Sequence, residues 1–187
     1  PSDFSVLEGT VKLPASKSIT NRLLMIRALE GNGFPIINCS EADDSKMLNQ
    51  ILEALASTGN RSGVIEIDTG NAGTVIRFLT AFLAFRPGSY IITGSVRMKQ
   101  RPIGALVDAL IQLGGSIEYL EKPGYPPILI KGKSPEGSSV CVDAGISSQF
   151  ISALMLTGPF MPEGIRITLS GRIVSYPYIE MTRKLME

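Results

Sequence analysis

Lys17, Ser18 and Arg22 stand at spacings i, i+1 and i+5 in a polar run, Ser16 to Arg22, that leads straight into an apolar stretch. At a helix start those positions face one ligand within about one and a half turns. Lysine brings a point charge and a transferable proton, and arginine brings a fork that fits a carboxylate or phosphate. The Ser-Lys-Ser run also makes a fair N-cap, and that structural reading stays open. Asn71, Gly73 and Thr74 form a second polar opening. There Gly73 either lets backbone N–H groups touch a ligand oxygen or makes a tight strand-to-helix turn. Arg77, one turn further in, reads as a ligand arm or as a buried structural pair. Ser147, Ser148 and Gln149, after Gly145 and Ile146, form a third opening whose neutral donors suit hydroxyls and phosphate oxygens. A helix start leaves about four backbone N–H groups unpartnered and carries roughly half a positive charge. Openings of this kind on three helices point to a polyanionic small molecule.

Other residues fit the same chemistry. Arg97, Lys99 and Arg101 place three cations in five residues ahead of a helix predicted to begin at Pro102. Cations beside the positive end of a helix dipole are unfavourable, so the loop reads as seeking an anion or as a solvated basic turn. Ser175 and Tyr178 flank Pro177 at another predicted start, where they add two hydroxyls or cap the helix. Histidine is absent. That removes Ser-His-Asp and Cys-His nucleophiles and the usual zinc ligand sets, leaving proton transfer to Lys, Asp, Glu or Tyr.

The elements that must hold these residues repeat along the chain. After each opening comes an apolar helical stretch, a glycine-containing break and a β-rich segment: Phe34 to Ile37, then Tyr90 to Ile92, then Ile165 to Leu169. Each repeat proposes a second helix, from about Asp44 to Ser57, from Pro102 to the Gly114-Gly115 stop, and from near Pro177. Gly63 to Ile67 and Ser116 to Leu120 read as strands that follow the first two. The outline is β-α-β-α-β-β units, and hydrophobicity around nearly all faces of Phe78 to Phe85 and Phe150 to Leu156 predicts helices inside and strands outside. An ordinary two-layer α/β sandwich fits the same pattern. A chain that stops inside its own repeating unit reads as a fragment of a longer protein.

At 187 residues with 44% apolar content, one well-cored domain is expected. Eighteen basic against seventeen acidic residues, none in a long run, argue against nucleic acid or an anionic membrane surface as partner. No stretch is long and apolar enough for a membrane helix, and no signal-peptide pattern opens the sequence. Cys39 and Cys141 lie in strand-like stretches without metal or redox spacing and are expected to be buried thiols.

Five motifs occur in the order of one family: Lys17-Ser18 with Asn21-Arg22; Gly70 to Thr74 with Arg77; Arg97 to Ile103; Ser147 to Phe150; and Ser175 to Ile179. Over nearly its whole length the chain resembles the N-terminal half of the 5-enolpyruvylshikimate-3-phosphate synthases (3-phosphoshikimate 1-carboxyvinyltransferases) of the shikimate pathway. The resemblance implies an inside-out α/β domain of three β-α-β-α-β-β units, the enolpyruvyl transferase fold, with the third unit cut short. Residues 1–14 would pair with an absent C-terminal domain, and residues 15–187 would form the N-terminal domain. It implies transfer of the enolpyruvyl group of phosphoenolpyruvate to the 5-hydroxyl of shikimate 3-phosphate in the cytoplasm, with no metal or organic cofactor. By motif, Lys17, Ser18, Arg22, Ser147, Ser148, Gln149, Ser175 and Tyr178 are implied shikimate 3-phosphate contacts. Lys17, Asn71, Gly73, Thr74, Arg101 and Gln149 are the implied phosphoenolpyruvate set, with Lys17 as the catalytic group.

The family's acidic base and further phosphoenolpyruvate-binding Arg and Lys residues belong to the C-terminal domain. This chain alone is therefore expected to bind without turnover. Phe78 stands where the family commonly has Pro, near the site of the inhibitor glyphosate, and Ala15 replaces a common Gly. The sibling enzyme acting on UDP-N-acetylglucosamine usually has Lys-Asn where Lys17-Ser18 stand here and a reactive Cys where Val96 stands, which disfavours it. A non-catalytic anion-binding module is the other alternative. If Arg22 anchors the shikimate ligand, Arg22→Ala should weaken binding by roughly 1.5 to 3 kcal/mol with little unfolding.

Overall fold

The computed structural model describes residues 8–31, 33–57 and 63–187. Helix α1 (Lys17–Glu30) and helix α2 (Asp43–Ser57) come first. Strand β1 (Val64–Asp68), helix α3 (Gly73–Ala84), strand β2 (Gly88–Thr93), helix α4 (Gly104–Gln112) and strands β3 (Ser116–Tyr119) and β4 (Ile128–Gly132) make one complete unit. Strand β5 (Ser139–Asp143), helix α5 (Ser148–Thr157), strand β6 (Arg166–Ser170) and helix α6 (Tyr176–Met186) follow.

Helices occupy the middle and sheets the outside, as the sequence predicts. Eleven of the twelve residues of α3 are buried, because a helix with Phe78, Leu79, Phe82 and Leu83 on different faces finds apolar neighbours only when surrounded. It packs against α1, α2, α4 and α5 and against β2 and β4. Outside it lies a sheet of order β1-β2-β4-β3, with β1 and β2 parallel and the β4 pairings antiparallel. The parallel pair β5-β6 forms a second sheet. Helix α2 is amphipathic, turning Leu48, Leu52 and Leu55 inward. Helix α1 ends on Gly31 at φ 95°, a left-handed conformation glycine adopts without Cβ strain, and the Gly31 N–H closes onto the Arg27 carbonyl.

Three expectations fail for identifiable reasons. Phe34 to Ile37 form no strand: Pro35 lacks a ladder donor, no described segment pairs with the run, and Ile37 is 88% exposed. Helix α4 begins at Gly104 rather than Pro102. The Ile103 N–H is bound to the Gly124 carbonyl at 2.9 Å and its side chain is buried, which holds both residues outside the helix. The cysteines are exposed, not buried. Alternation along β5 sends Val140 and Val142 inward and Cys141 outward, and Cys39 sits on the loop before α2. Of the opening segment, residues 1–7 lie outside the described residues, while Val11 and Leu13 are exposed.

Candidate active site

Four helix starts meet at one cavity of about 420 Å³. Helix α1 contributes Lys17, Ser18 and Arg22; α3 contributes Thr74; α5 and the residues just before it contribute Ile146, Ser147, Ser148 and Gln149; α6 and its approach contribute Val174, Ser175 and Tyr178. The three openings read from the sequence converge, and the Ser175 to Tyr178 segment joins them as a fourth. Side-chain capping consumes little of the backbone's donor capacity. Ser16 Oγ accepts from the Ile19 N–H at 3.4 Å and Ser147 Oγ from the Gln149 N–H at 3.3 Å, whereas neither α3 nor α6 has a side-chain cap. Four adjacent positive dipole ends with hydroxyl and amide donors among them suit a ligand with several anionic or hydroxyl oxygens.

Lys17 is exposed and its Nζ donates to Asp44 Oδ2 at 2.9 Å, the carboxylate lying in the first turn of α2. Sequence spacing gave no sign of this partner. Exposed pairs contribute about 0.2 to 1 kcal/mol, so Asp44→Asn should leave the melting temperature within a few degrees of the parent. Releasing the Lys17 ammonium and removing a negative charge should tighten anion binding on the order of threefold at low salt, an effect that added salt erases in a titration.

Arg22 is placed differently from a free ligand arm. It is 2% exposed. Its Nε donates to Thr182 Oγ1 at 2.7 Å, Nη1 to the Ser18 carbonyl at 2.9 Å, and Nη2 to Ser152 Oγ at 2.9 Å and the Tyr178 carbonyl at 3.3 Å. The guanidinium carbon lies 5.5 Å from the centre of the Phe78 ring and 5.9 Å from that of Tyr178. Burial pushes its pKa down to about 10, with Tyr178 acting the other way, so it stays cationic at neutral pH. Arg22 thus borders the cavity while tying α1 to α5 and α6. Ser152 and Thr182 were missed in the sequence, although a serine inside the otherwise apolar stretch Phe150 to Leu156 was a signal.

Asn71, Gly73 and Arg101 lie beside the cavity rather than in its lining. A Cβ built on Gly73 would come within 2.5 Å of Arg101 Nη1, so the guanidinium rests on the bare glycine at the start of α3. Asn71 Oδ1 accepts from Ser95 Oγ at 2.6 Å, pinning the turn before α3 to the loop after β2. Of the other loop cations, Lys99 pairs with Glu121 at 2.7 Å and Arg97 is exposed. The Arg101 guanidinium, with no side-chain hydrogen bond or ion pair among the described residues, therefore sits on the uncapped start of α3 beside the larger cavity.

Comparison with known proteins identifies the family. The family model described as EPSP synthase (3-phosphoshikimate 1-carboxyvinyltransferase) matches residues 2–187. A 3-phosphoshikimate 1-carboxyvinyltransferase of Bacteroides fragilis is 44% identical over 183 residues, covering 98% of this chain and 43% of that protein. The enzyme so named from Colwellia psychrerythraea is 41% identical over 201 residues, covering 96% and 46%. Among solved structures, an EPSP synthase from Acinetobacter baumannii superposes with a TM-score of 0.74 at 20% identity, over 92% of this chain and 42% of that one, a likeness of fold. The chain spans less than half the length of the curated relatives it matches. With its motifs, its inside-out fold and a match over residues 2–187, the chain belongs to the EPSP synthase family.

Proposed function

We propose that this chain is the shikimate 3-phosphate half-site of an enzyme that transfers the enolpyruvyl group of phosphoenolpyruvate to the 5-hydroxyl of shikimate 3-phosphate. The observation that carries the reading is the convergence of four helix starts, with Lys17 and a wall of hydroxyl and amide side chains, on one cavity. Ser18, Ser147, Ser148, Gln149, Ser175 and Tyr178 bind the hydroxyls and phosphate of the first substrate, with Arg22 behind them. Asn71, Gly73, Thr74 and Arg101 form the phosphoenolpyruvate side, and Lys17 and Gln149 face both.

In the addition step the 5-hydroxyl oxygen bonds to C2, its proton leaves to a base, and the C2–C3 π pair takes a proton at C3. In the elimination step C3 gives up a proton, the double bond re-forms and the C2–O bond to phosphate breaks. Lys17 is the group in this chain that carries a proton and balances developing negative charge. The acidic base comes from a second domain, in keeping with relatives more than twice as long. Two exposed unpaired thiols suit the reducing cytoplasm for this pathway.

Calorimetric titration of shikimate 3-phosphate, with unphosphorylated shikimate as control, should show saturable binding that needs the phosphate. A coupled assay should detect no phosphate release by the chain alone. Turnover by these 187 residues would overturn the half-site assignment.

A further inference from the structure

Arg77 does not line the cavity, yet it touches a residue that does. It is 8% exposed, its Nη1 donates to Gln149 Oε1, and Gln149 Nε2 donates to Thr74 Oγ1 at 3.1 Å. Both Gln149 and Thr74 face the cavity. The guanidinium carbon of Arg77 sits 5.2 Å from the centre of the Phe150 ring, which holds it over the second turn of α3. Its buried Nε has no hydrogen-bond partner among the described residues, which leaves the bond to Gln149 as the side-chain hydrogen bond this guanidinium makes among them. Burial, and secondarily the charge of Arg101, push its pKa down to about 10, which leaves it a cation at neutral pH.

An amide side chain has an accepting end and a donating end, and rotation by half a turn exchanges them. A guanidinium only donates. With Arg77 against it, the Gln149 carbonyl oxygen is committed inward and the amide nitrogen is the end left for Thr74 and the cavity. Because Thr74 Oγ1 then accepts from Gln149 and makes no other hydrogen bond among the described residues, its O–H is free to donate to a ligand. We propose that Arg77 is a positioning residue that fixes the direction of the Arg77–Gln149–Thr74 hydrogen-bond chain, so that this wall of the cavity presents donors alone to an anionic ligand. Without it, Gln149 can turn its carbonyl toward the ligand's oxygens, a repulsive contact. The proposal goes beyond contact assignment and rests on the substrate reading above only for the choice of ligand.

Two measurements test it. In the first, the Gln149 side-chain amide signal, assigned by its loss in Gln149→Ala, is followed by nitrogen–proton correlation NMR in the ligand-free chain. Arg77→Met should shift that signal and speed its solvent exchange. An unchanged signal in a folded Arg77→Met protein overturns the proposal. In the second, shikimate 3-phosphate is titrated into the parent, Arg77→Met, Gln149→Ala and the double variant. Each single change should weaken binding about tenfold, the scale of one hydrogen bond to a charged ligand, and the double variant should bind no worse than Gln149→Ala. Losses that multiply mean that Arg77 acts on the ligand itself and also overturn the proposal. If the parent binds no shikimate 3-phosphate while Arg77→Met still moves the Gln149 signal, the substrate reading falls and the positioning role stands. Should Arg77→Met fail to fold, Arg77→Lys, which keeps the charge on a narrower head, should give the same pattern at smaller amplitude.

Discussion

Arg22→Ala is expected to lower the unfolding free energy by about 3 to 5 kcal/mol and the melting temperature by about ten degrees, read by calorimetry or circular dichroism. The arginine ties α1 to α5 and α6 through three hydrogen bonds, makes a fourth to the Ser18 carbonyl within α1, and lies over the Phe78 ring. Truncation opens a void at a fully buried site and removes donors from two carbonyls and two hydroxyls. This revises the expectation from sequence that the fold would be spared. Arg22→Met separates packing from charge. Methionine refills the void and relieves the desolvation that depresses the arginine's pKa. Ser152 and Thr182 still bond each other at 2.8 Å, and Thr182 still donates to the Tyr178 carbonyl at 2.8 Å. The methionine variant should therefore recover at least half of the lost stability. A melting temperature for Arg22→Ala within two degrees of the parent would contradict this account.

Gly73→Ala should do the opposite, leaving the fold intact and damaging the site. The backbone at Gly73 is helical, so alanine should raise stability by about 0.4 to 1 kcal/mol. Its Cβ, however, would stand 2.5 to 2.9 Å from the Arg101 guanidinium atoms, closer than van der Waals contact allows. The side chain must move away from the start of α3, and an anion held between the guanidinium and the helix loses that alignment. Phosphoenolpyruvate titrated into the chain saturated with shikimate 3-phosphate should bind at least about tenfold more weakly in Gly73→Ala, the loss of one charged hydrogen bond or more. Unchanged affinity would place the anion away from Arg101.

The two variants also mark what the sequence could and could not convey. Gly73, Lys17 and Ser147 announced themselves because a helix start is a local pattern: small or polar residues run directly into an apolar period. For the same reason β1, β2, β6 and the inner helices were readable from alternation and from apolar residues on every face. Arg22 was readable as a cation near a helix start, but its partners Ser152 and Thr182 lie 130 and 160 residues away, and no local period carries such a pairing. Asp44 as partner of Lys17 is long-range in the same way. The strand expected at Phe34 to Ile37 failed because β propensity needs a paired neighbour to take effect. Cys141 was misjudged because alternation fixes a period, and only the packing partner decides which face turns inward.

The convergence of four helix starts has a consequence for how such a site tolerates change. On the proposed reading its attraction for anions would be written largely in the main chain, as peptide dipoles aimed by the topology of α1, α3, α5 and α6, which a side-chain substitution leaves in place. Peptide groups do not ionise, so this part of the field neither fades nor inverts with acidity. Side chains on the rim can then be exchanged over generations to select among phosphorylated ligands while the underlying pull persists. On that reading, a lineage keeping this architecture would inherit a general affinity for oxyanions and have to evolve only its discrimination.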